Sequence, residues 1–195
     1  MTGASEHLFW ITSRAAGISA IVLASVAVAA GLAISARGGP LQGRAAQLRT
    51  VHEALSLATL VAIALHGLAL LGDGWLKASL ADIAIPFASS YRPFWTGLGV
   101  IAGYGLALLS LSYYARARIG VARWRMLHRF IAAFWLLGVV HMLGAGTDAG
   151  QAWFLLLAAV VVLPPLVLLG VRWRSRVELS PPEGARVPAS HSARG

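Results

Sequence analysis

The chain has 195 residues, of which 58% are hydrophobic and only 12% are charged, with a mean hydropathy of +0.73. Soluble domains carry about 25% charged residues, so the composition excludes an ordinary soluble domain and indicates an integral membrane protein. The net charge is +9, but the basic residues alternate in density from loop to loop. That pattern is typical of membrane topology, and it argues against nucleic-acid binding.

Five continuous apolar stretches follow one another along the chain. A hydrocarbon core of about 30 Å needs about 20 apolar residues per helix, and continuous hydrophobicity favours helices over a closed β-barrel. We therefore predict an all-α integral membrane fold, a bundle of five transmembrane helices at residues 8–35, 51–72, 94–115, 127–146 and 152–171.

The connections between these helices differ in positive charge. Most of the 16 basic residues fall in segments 36–50 and 115–129 and after residue 171, which leaves only Arg14, Lys77 and Arg92 for the other side. The positive-inside rule then predicts a multi-pass plasma membrane protein with its N-terminus outside and its C-terminus in the cytoplasm. The first stretch follows an acidic residue and is longer than a signal-peptide core, so we expect a retained helix.

Two segments outside the helices are informative. Segment 73–93 is the longest connection, and the helical spacing of its apolar residues predicts a short helix in the membrane interface. Residues 175–195 are polar and rich in proline, which predicts a disordered cytoplasmic tail after a transmembrane domain of residues 1–174. The chain has no Walker sequence and no dinucleotide-binding fingerprint, so we predict no nucleotide-binding domain within it.

Four histidines lie inside two of the apolar stretches, "TVHEALSLATLVAIALHG" (50–67) and "RMLHRFIAAFWLLGVVHM" (125–142). His52 and His66 are 14 residues apart, and His128 and His141 are 13 apart, so each pair spans roughly 20 Å of helix. The second and fourth helices run in the same direction. We therefore expect His52 level with His128 near the cytoplasmic side and His66 level with His141 near the outer side.

The spacing in the fourth helix raises a geometric problem. Thirteen residues at about 100° each turn the second side chain by roughly 220° relative to the first. We predict either a local tightening of this helix, with Gly138 as its site, or ligands that approach from different sides of the helix axis.

An ionisable residue within a bilayer is a functional hypothesis by default, although one buried histidine can simply bond a neighbouring helix. Zinc normally takes four ligands, or three plus water, whereas two opposed imidazoles fill the axial positions of a haem and leave none open. With no cysteine, covalent haem attachment and iron–sulfur clusters are excluded. The residues predict two non-covalent haem b groups that carry electrons, with axial iron ligands at His52, His66, His128 and His141.

Other residues have a predicted place around these ligands. Arginines would pair with haem propionates: Arg49, Arg125 and Arg129 beside the inner pair, although ordinary topology explains these three equally well, and Arg14, within an apolar helix, beside the outer pair together with Arg92. Gly67 and Gly138 would leave room for a porphyrin. Phe134 and Trp135, midway between the fourth-helix ligands, would fill either the gap between haems or the ordinary core.

With these residues the chain resembles the ferric reductase-like transmembrane domain superfamily, which includes NADPH oxidases, ferric-chelate reductases and the haem-binding membrane subunit of the periplasmic methionine sulfoxide reductase system. The resemblance covers about residues 8–172 and includes the paired spacings of 14 and 13 and "SRAAGISAIVL" in the first helix. It implies that the four histidines are the axial ligands and that Phe134 is the aromatic six residues after the first fourth-helix ligand. Many members have six spans and a flavin domain, so the resemblance implies that any flavin comes from a partner.

Four functions remain open at this point. The first is a dihaem b protein that carries electrons across the bilayer, from a flavoprotein or quinol to an external acceptor, as the membrane component of an oxidoreductase. The second is the haem-binding membrane subunit of a periplasmic reductase, which would dock its partner protein at segment 73–93. The others are a histidine-based ion or metal transporter and a purely structural membrane protein.

Overall fold

The computed structural model describes residues 2–35 and 42–178, and this part of the chain forms helices joined by turns, without strands. A 3-10 turn at Gln42–Arg44 precedes the second helix. The α-helices are α1 (Thr2–Ser35), α2 (Ala45–Leu70), α3 (Leu80–Ala84), α4 (Pro93–Leu111), α5 (Arg116–Ile119), α6 (Val121–His128), α7 (Ile131–Ala145) and α8 (Ala152–Glu178).

Within residues 2–35 and 42–178, five segments are long and apolar enough to cross a membrane, which confirms the predicted all-α fold with five spans. The fourth span, Val121–Ala145, consists of α6 and α7 together. Helix α8 continues to Glu178, beyond the start of the predicted tail. The rest of that tail lies outside the described residues. The division into a domain at 1–174 and a tail at 175–195 stays a prediction.

The bundle has two ends, because successive spans alternate in direction. The N-terminal face carries the start of α1, the connection 71–92 and the turn 146–151. The C-terminal face carries the end of α1, the start of α2 and the residues 112–120 between α4 and α6.

The spans pack as two antiparallel hairpins. α1 packs mainly along α2, and α4 packs mainly along α7, while α1 also contacts α7 and α8 and a shorter contact joins α2 to α4. α2 carries His52 and His66, and the fourth span carries His128 at the end of α6 and His141 in α7. α2 has almost no close backbone contact with α6 or α7. The bundle therefore leaves a gap between α2 and the fourth span.

Trp135 of α7 lies at the centre of the core and is fully buried. Aliphatic side chains from α1, α4, α7 and α8 surround it, and its indole Nε1 donates a hydrogen bond of 3.0 Å to the hydroxyl of Ser25. Ser25 is itself buried, with 1% of its surface exposed. A polar group in an apolar interior needs such a partner, so this bond fixes the height of α7 against α1.

The connection 71–92 is folded back on the N-terminal face by local hydrogen bonds. Ser79 caps α3 and exchanges hydrogen bonds with Asp82, which lower the pKa of the Asp82 carboxyl. Phe87 has a left-handed backbone, with φ of 68°, and its ring lies against Gly97 of α4, where an added Cβ would have no room. The predicted interfacial helix is thus only five residues long, and turns make up most of the segment.

We expect Ser25→Ala to destabilise the bundle, because it leaves the buried Trp135 N–H without an acceptor. Hydrogen bonds between transmembrane helices contribute about 0.6 kcal/mol on average, and an orphaned buried donor costs about 1–3 kcal/mol, so we expect a loss of about 1 kcal/mol. Thermal unfolding in detergent measures it. Ser19→Ala, at an exposed position on the same helix, is the matched control, and equal stabilities in the two variants would contradict the expectation.

Candidate functional site

The four intramembrane histidines form two opposed pairs, as their spacing predicts. The rings of His66 and His141 face each other near the N-terminal face, with centroids 6.3 Å apart and planes inclined at 70°. The rings of His52 and His128 do the same near the C-terminal face, also at 6.3 Å, with an angle of 84°. In both pairs one ring comes from α2 and the other from the fourth span, across the gap between them.

The α2 histidines are held by main-chain carbonyls of α1. His66 Nδ1 donates to the carbonyl of Ser13 at 2.8 Å, and His52 Nδ1 donates to the carbonyl of Ala27, also at 2.8 Å. A carbonyl can only accept, so Nδ1 carries the proton in both rings. In the neutral ring the other nitrogen, Nε2, is then the one with a lone pair that could bind a metal.

The histidines of the fourth span are held in the same way by α4. His141 Nδ1 donates to the carbonyl of Trp95 at 2.9 Å, and His128 Nδ1 donates to the carbonyl of Leu109 at 3.3 Å. The two acceptors are 14 residues apart, as are the two on α1. Across the described part of the chain, no protein group hydrogen-bonds Nε2 in any of the four rings, so each pair presents two lone pairs.

Glycines make this close approach feasible, and the sequence analysis missed two of them. A Cβ on Gly17 would lie 3.0 Å from Nδ1 of His66, and one on Gly31 would lie 3.1 Å from the ring of His52. A signal was present in α1, where "SRAAG" (13–17) and "AVAAG" (27–31) repeat at the spacing of the two histidines. In each repeat the first residue supplies the carbonyl, and the glycine one helical turn later leaves that carbonyl uncovered.

The glycines that were predicted to make room for a porphyrin have open space beside them. Apart from its chain neighbours, a Cβ on Gly67 would meet nothing within 4 Å, and one on Gly138 would meet only the Cβ of Ala102, at 3.9 Å. Their place beside a porphyrin stays a prediction. On α4, Gly99 lies against a histidine ring, since a Cβ there would lie 2.5 Å from Nδ1 of His141.

The fourth span is tightened between its two histidines, at a different residue from the one predicted. The regular helix is interrupted at Arg129 and Phe130, between α6 and α7. Phe130 N bonds the carbonyl of Leu127, and Ala133 N bonds that of Phe130, both with the three-residue step of a 3-10 helix. This tighter winding turns His128 relative to His141, whereas Gly138 lies inside regular α7.

The gap between paired rings has the width that one metal ion between two imidazoles requires. Two metal–nitrogen bonds of about 2 Å, with about 1 Å more from each nitrogen to its ring centre, set the centroids about 6 Å apart. Within residues 2–35 and 42–178, no cluster of three or more histidine, cysteine or carboxylate side chains could bind a metal ion. Two opposed imidazoles would fit an ion whose other positions are filled by a planar macrocycle, and they do not fit structural zinc, which takes four protein ligands.

Arg14 has a partner within the protein. Its guanidinium forms an ion pair with Asp148 in the turn between α7 and α8, and it lies over the ring of Trp10, 4.9 Å from the centroid. Ser13, the preceding residue, contacts His66. Arg14 is therefore next in the chain to a residue of the N-terminal-face pair's surroundings, and its charge is balanced by a carboxylate of the same chain. Its predicted pairing with a haem propionate stays a prediction. Arg92 donates to the carbonyl of Gly144 at the end of α7.

The three arginines predicted beside the other pair are exposed at the C-terminal face. Arg49 lies one turn before His52, and Arg125 and Arg129 lie on either side of His128 in sequence. Sequence reasoning missed Trp124, whose ring stacks on His128 at 5.0 Å and whose buried Nε1 has no hydrogen-bond partner in the described residues. An orphaned donor beside a ligand ring is the kind of group that a bound polar molecule satisfies.

The two central aromatics have different surroundings. Phe134 packs over Gly105 of α4, which has no room for a Cβ beneath that ring. Trp135 lies fully buried against α1, as described above. Both occupy the part of the bundle between the two histidine pairs, so protein rather than empty space separates these pairs.

A comparison with known protein families gives a match that covers most of the helical bundle. Residues 16–139, more than half of the chain, match the model of the ferric reductase like transmembrane component. The chain belongs to this ferric reductase-like transmembrane family. The match includes three of the four paired histidines and ends two residues before His141. No curated protein and no solved structure matches the chain.

Membership of the ferric reductase-like family suggests transmembrane electron transfer, and members of this family commonly bind haem. The five apolar spans and the family together make the chain a multi-pass membrane protein. The earlier expectation of a lipid bilayer as its environment is thereby supported, because helices of this length and hydropathy require one.

We expect Gly99→Ala to disturb the packing of α4 against the ring of His141, because the new Cβ would lie 2.5 Å from its Nδ1. Overpacking of this kind costs about 1–3 kcal/mol. Thermal unfolding in detergent measures the loss. Gly103→Ala is the matched control one turn along α4, where the Cβ would meet Ile63 at an ordinary 3.5 Å. Equal loss in both variants would show that the effect comes from the helix and not from the histidine.

Proposed function

We propose that this protein is a dihaem b electron carrier that moves electrons across the bilayer, as the membrane component of an oxidoreductase. The observation that carries the proposal is the arrangement of the four imidazoles in two opposed pairs, each with Nδ1 bound to a carbonyl and Nε2 facing a gap of the right width. His66 and His141 would hold one haem, and His52 and His128 the other.

A haem held by two histidines supplies a one-electron couple and has no open position for oxygen. The chain's own groups would hold it in place. The carbonyls that accept from Nδ1 fix each imidazole in the ligating tautomer and raise its basicity. Beside His128, the unpaired Trp124 N–H and the exposed Arg125 and Arg129 are suited to bind the carboxylates of a haem. At the other pair Arg14 would bind them, although it already pairs with Asp148.

Position in the membrane supports a function in electron transfer across it. The two histidines of α2 are 14 residues apart, or about 20 Å along the helix, so the pairs lie at different depths. The aromatic side chains of Trp135 and Phe134 occupy the interior of the bundle between the two histidine pairs. In this arrangement the two sites together connect most of the thickness of the hydrocarbon core, about 30 Å.

The direction that we propose follows from charge. The described arginines of residues 42–50, 115–129 and 172–174 lie at the C-terminal face, and the positive-inside rule places that face in the cytoplasm of a cell whose plasma membrane holds the protein. Electrons would enter there from a separate flavoprotein or a membrane quinol and leave at the N-terminal face to an external acceptor. Any flavin would belong to the partner.

The haem content of purified protein tests the central proposal. We expect a reduced-minus-oxidised spectrum of b type and about two haems per chain, with about one lost in His66→Ala and about one in His52→Ala, because each site needs both of its axial ligands. His7→Ala, at an exposed terminal histidine, is the control and should keep both haems. A colourless protein would end the proposal, and full haem content in both ligand variants would refute the ligand assignment.

Reporter fusions test the orientation. Gly150 lies in the turn before α8 at the N-terminal face, and Gly120 lies between α5 and α6 at the opposite face, each with open space around its Cα. We expect a phosphatase that folds only outside the cytoplasm to be active when fused after Gly150 and inactive after Gly120. A fluorescent protein that matures in the cytoplasm should give the reverse pattern. The opposite result would reverse the proposed direction.

A second candidate is the haem-binding membrane subunit of a periplasmic reductase. The connection 71–92 favours it, because this segment is folded against the bundle and exposes Trp75, Leu80 and Ile85 at the N-terminal face, the end of the bundle where His66 and His141 lie. Both candidates require the same two haems. Co-purification of an external reductase that is lost on replacement of Trp75 by serine would favour the second candidate over a free-standing carrier.

A further inference from the structure

Two places on α1 hold the rings of His66 and His52, and each is called a seat here: a main-chain carbonyl that accepts from Nδ1, followed one turn later by a glycine. The two seats are built alike but differ in one side chain. The carbonyl that accepts from His66 belongs to Ser13, and the one that accepts from His52 belongs to Ala27, with the same distance of 2.8 Å from Nδ1. Ser13 and Ala27 hold the same place in the repeated pattern of α1. The seat near the N-terminal face therefore has a hydroxyl where the other seat has none.

The Ser13 hydroxyl contacts His66 at two atoms. Its Oγ lies 3.1 Å from Nδ1 and donates a hydrogen bond of 3.0 Å to the main-chain carbonyl of His66. Because its proton goes to that carbonyl, its lone pairs face the Nδ1–H, which is then shared between two oxygens of Ser13. The contact is enclosed, since Ser13 is 3% exposed.

The seat of His52 has a different arrangement. A hydroxyl also donates to the main-chain carbonyl of His52, but it comes from Ser56, one turn along α2, at 2.7 Å. Ala27 provides only its carbonyl to Nδ1. One imidazole therefore has two acceptors on its outer nitrogen, and the other has one.

We propose that Ser13 is a positioning residue that makes His66 the more electron-donating of the two ligands on α2, so that the two haems have different reduction potentials. This inference rests on the proposed function. Hydrogen-bond acceptors on the outer nitrogen of a ligating histidine raise its basicity, and a more basic ligand favours the oxidised iron. Second-sphere hydrogen bonds and local polarity are among the established determinants of haem potential, and Ser13 changes both in the same direction.

Reciprocal variants of the two seats test the proposal in purified, haem-loaded protein. We expect Ser13→Ala to raise the midpoint potential of one haem only, the component that is absent from His66→Ala. Ala27→Ser gives His52 the second acceptor that it lacks, so it should lower the potential of the other haem only. Spectroelectrochemical titration measures both potentials, and the low-spin ferric resonances should shift for the same component in each variant.

Ser13→Thr is the conservative control, because it keeps the hydroxyl and should keep the potentials of the unmodified protein. The proposal is overturned if Ser13→Ala holds both haems at unchanged potentials, if Ser13→Thr shifts as far as Ser13→Ala, or if Ser13→Ala loses its haem, since the carbonyl alone should seat the ring. These results differ from a failure of the proposed function, in which the unmodified protein would bind no haem.

Discussion

The centre of this protein depends on one repeated interaction, the hydrogen bond from a histidine Nδ1 to a main-chain carbonyl of the antiparallel neighbouring helix. A helical carbonyl already accepts from its own helix and has a second lone pair to offer. A ring can reach that lone pair only where the covering side chain is missing or the helix ends. Gly17, Gly31 and Gly99 meet the first condition, and Leu109, two residues before the end of α4, meets the second. These four bonds give the imidazoles one tautomer and aim them across the gap.

Much of this arrangement could be predicted from the sequence, because it follows from periodicity and hydropathy. Five apolar runs predict five spans, and two runs of equal direction with matched histidines predict pairing by depth. The features that were missed depend on contacts between distant residues. Asp148 pairs with Arg14 across 134 positions, and no local pattern indicates which polar turn meets a cation within an apolar helix. The glycines predicted to make room, Gly67 and Gly138, lie on the same segments as the histidines. Gly17 was missed because the ring that it makes room for, that of His66, lies on another helix.

The sites share ligands and width but not surroundings. Near the N-terminal face, His66 is seated by a serine beside an internally balanced ion pair. Near the C-terminal face, His128 follows a regular turn of helix, stacks on an indole with an orphaned N–H, and lies among exposed arginines. The tightened winding at Phe130 lies on this side only. With the proposed haems bound, the same imidazoles in different electrostatic surroundings would tune the two groups differently, because the tuning comes from the second sphere.

The division of the bundle into two hairpins has a consequence for biogenesis. Each hairpin contains one span with two of the histidines and the helix whose carbonyls accept from their Nδ1 atoms, so α1 with α2, and α4 with α6 and α7, can orient these side chains before the halves meet. Neither half contains a complete histidine pair, because every pair takes one imidazole from each. A macrocycle bound between them would then join the two halves. Cofactor binding would be the last step of tertiary assembly, and it would fix the register of the two hairpins.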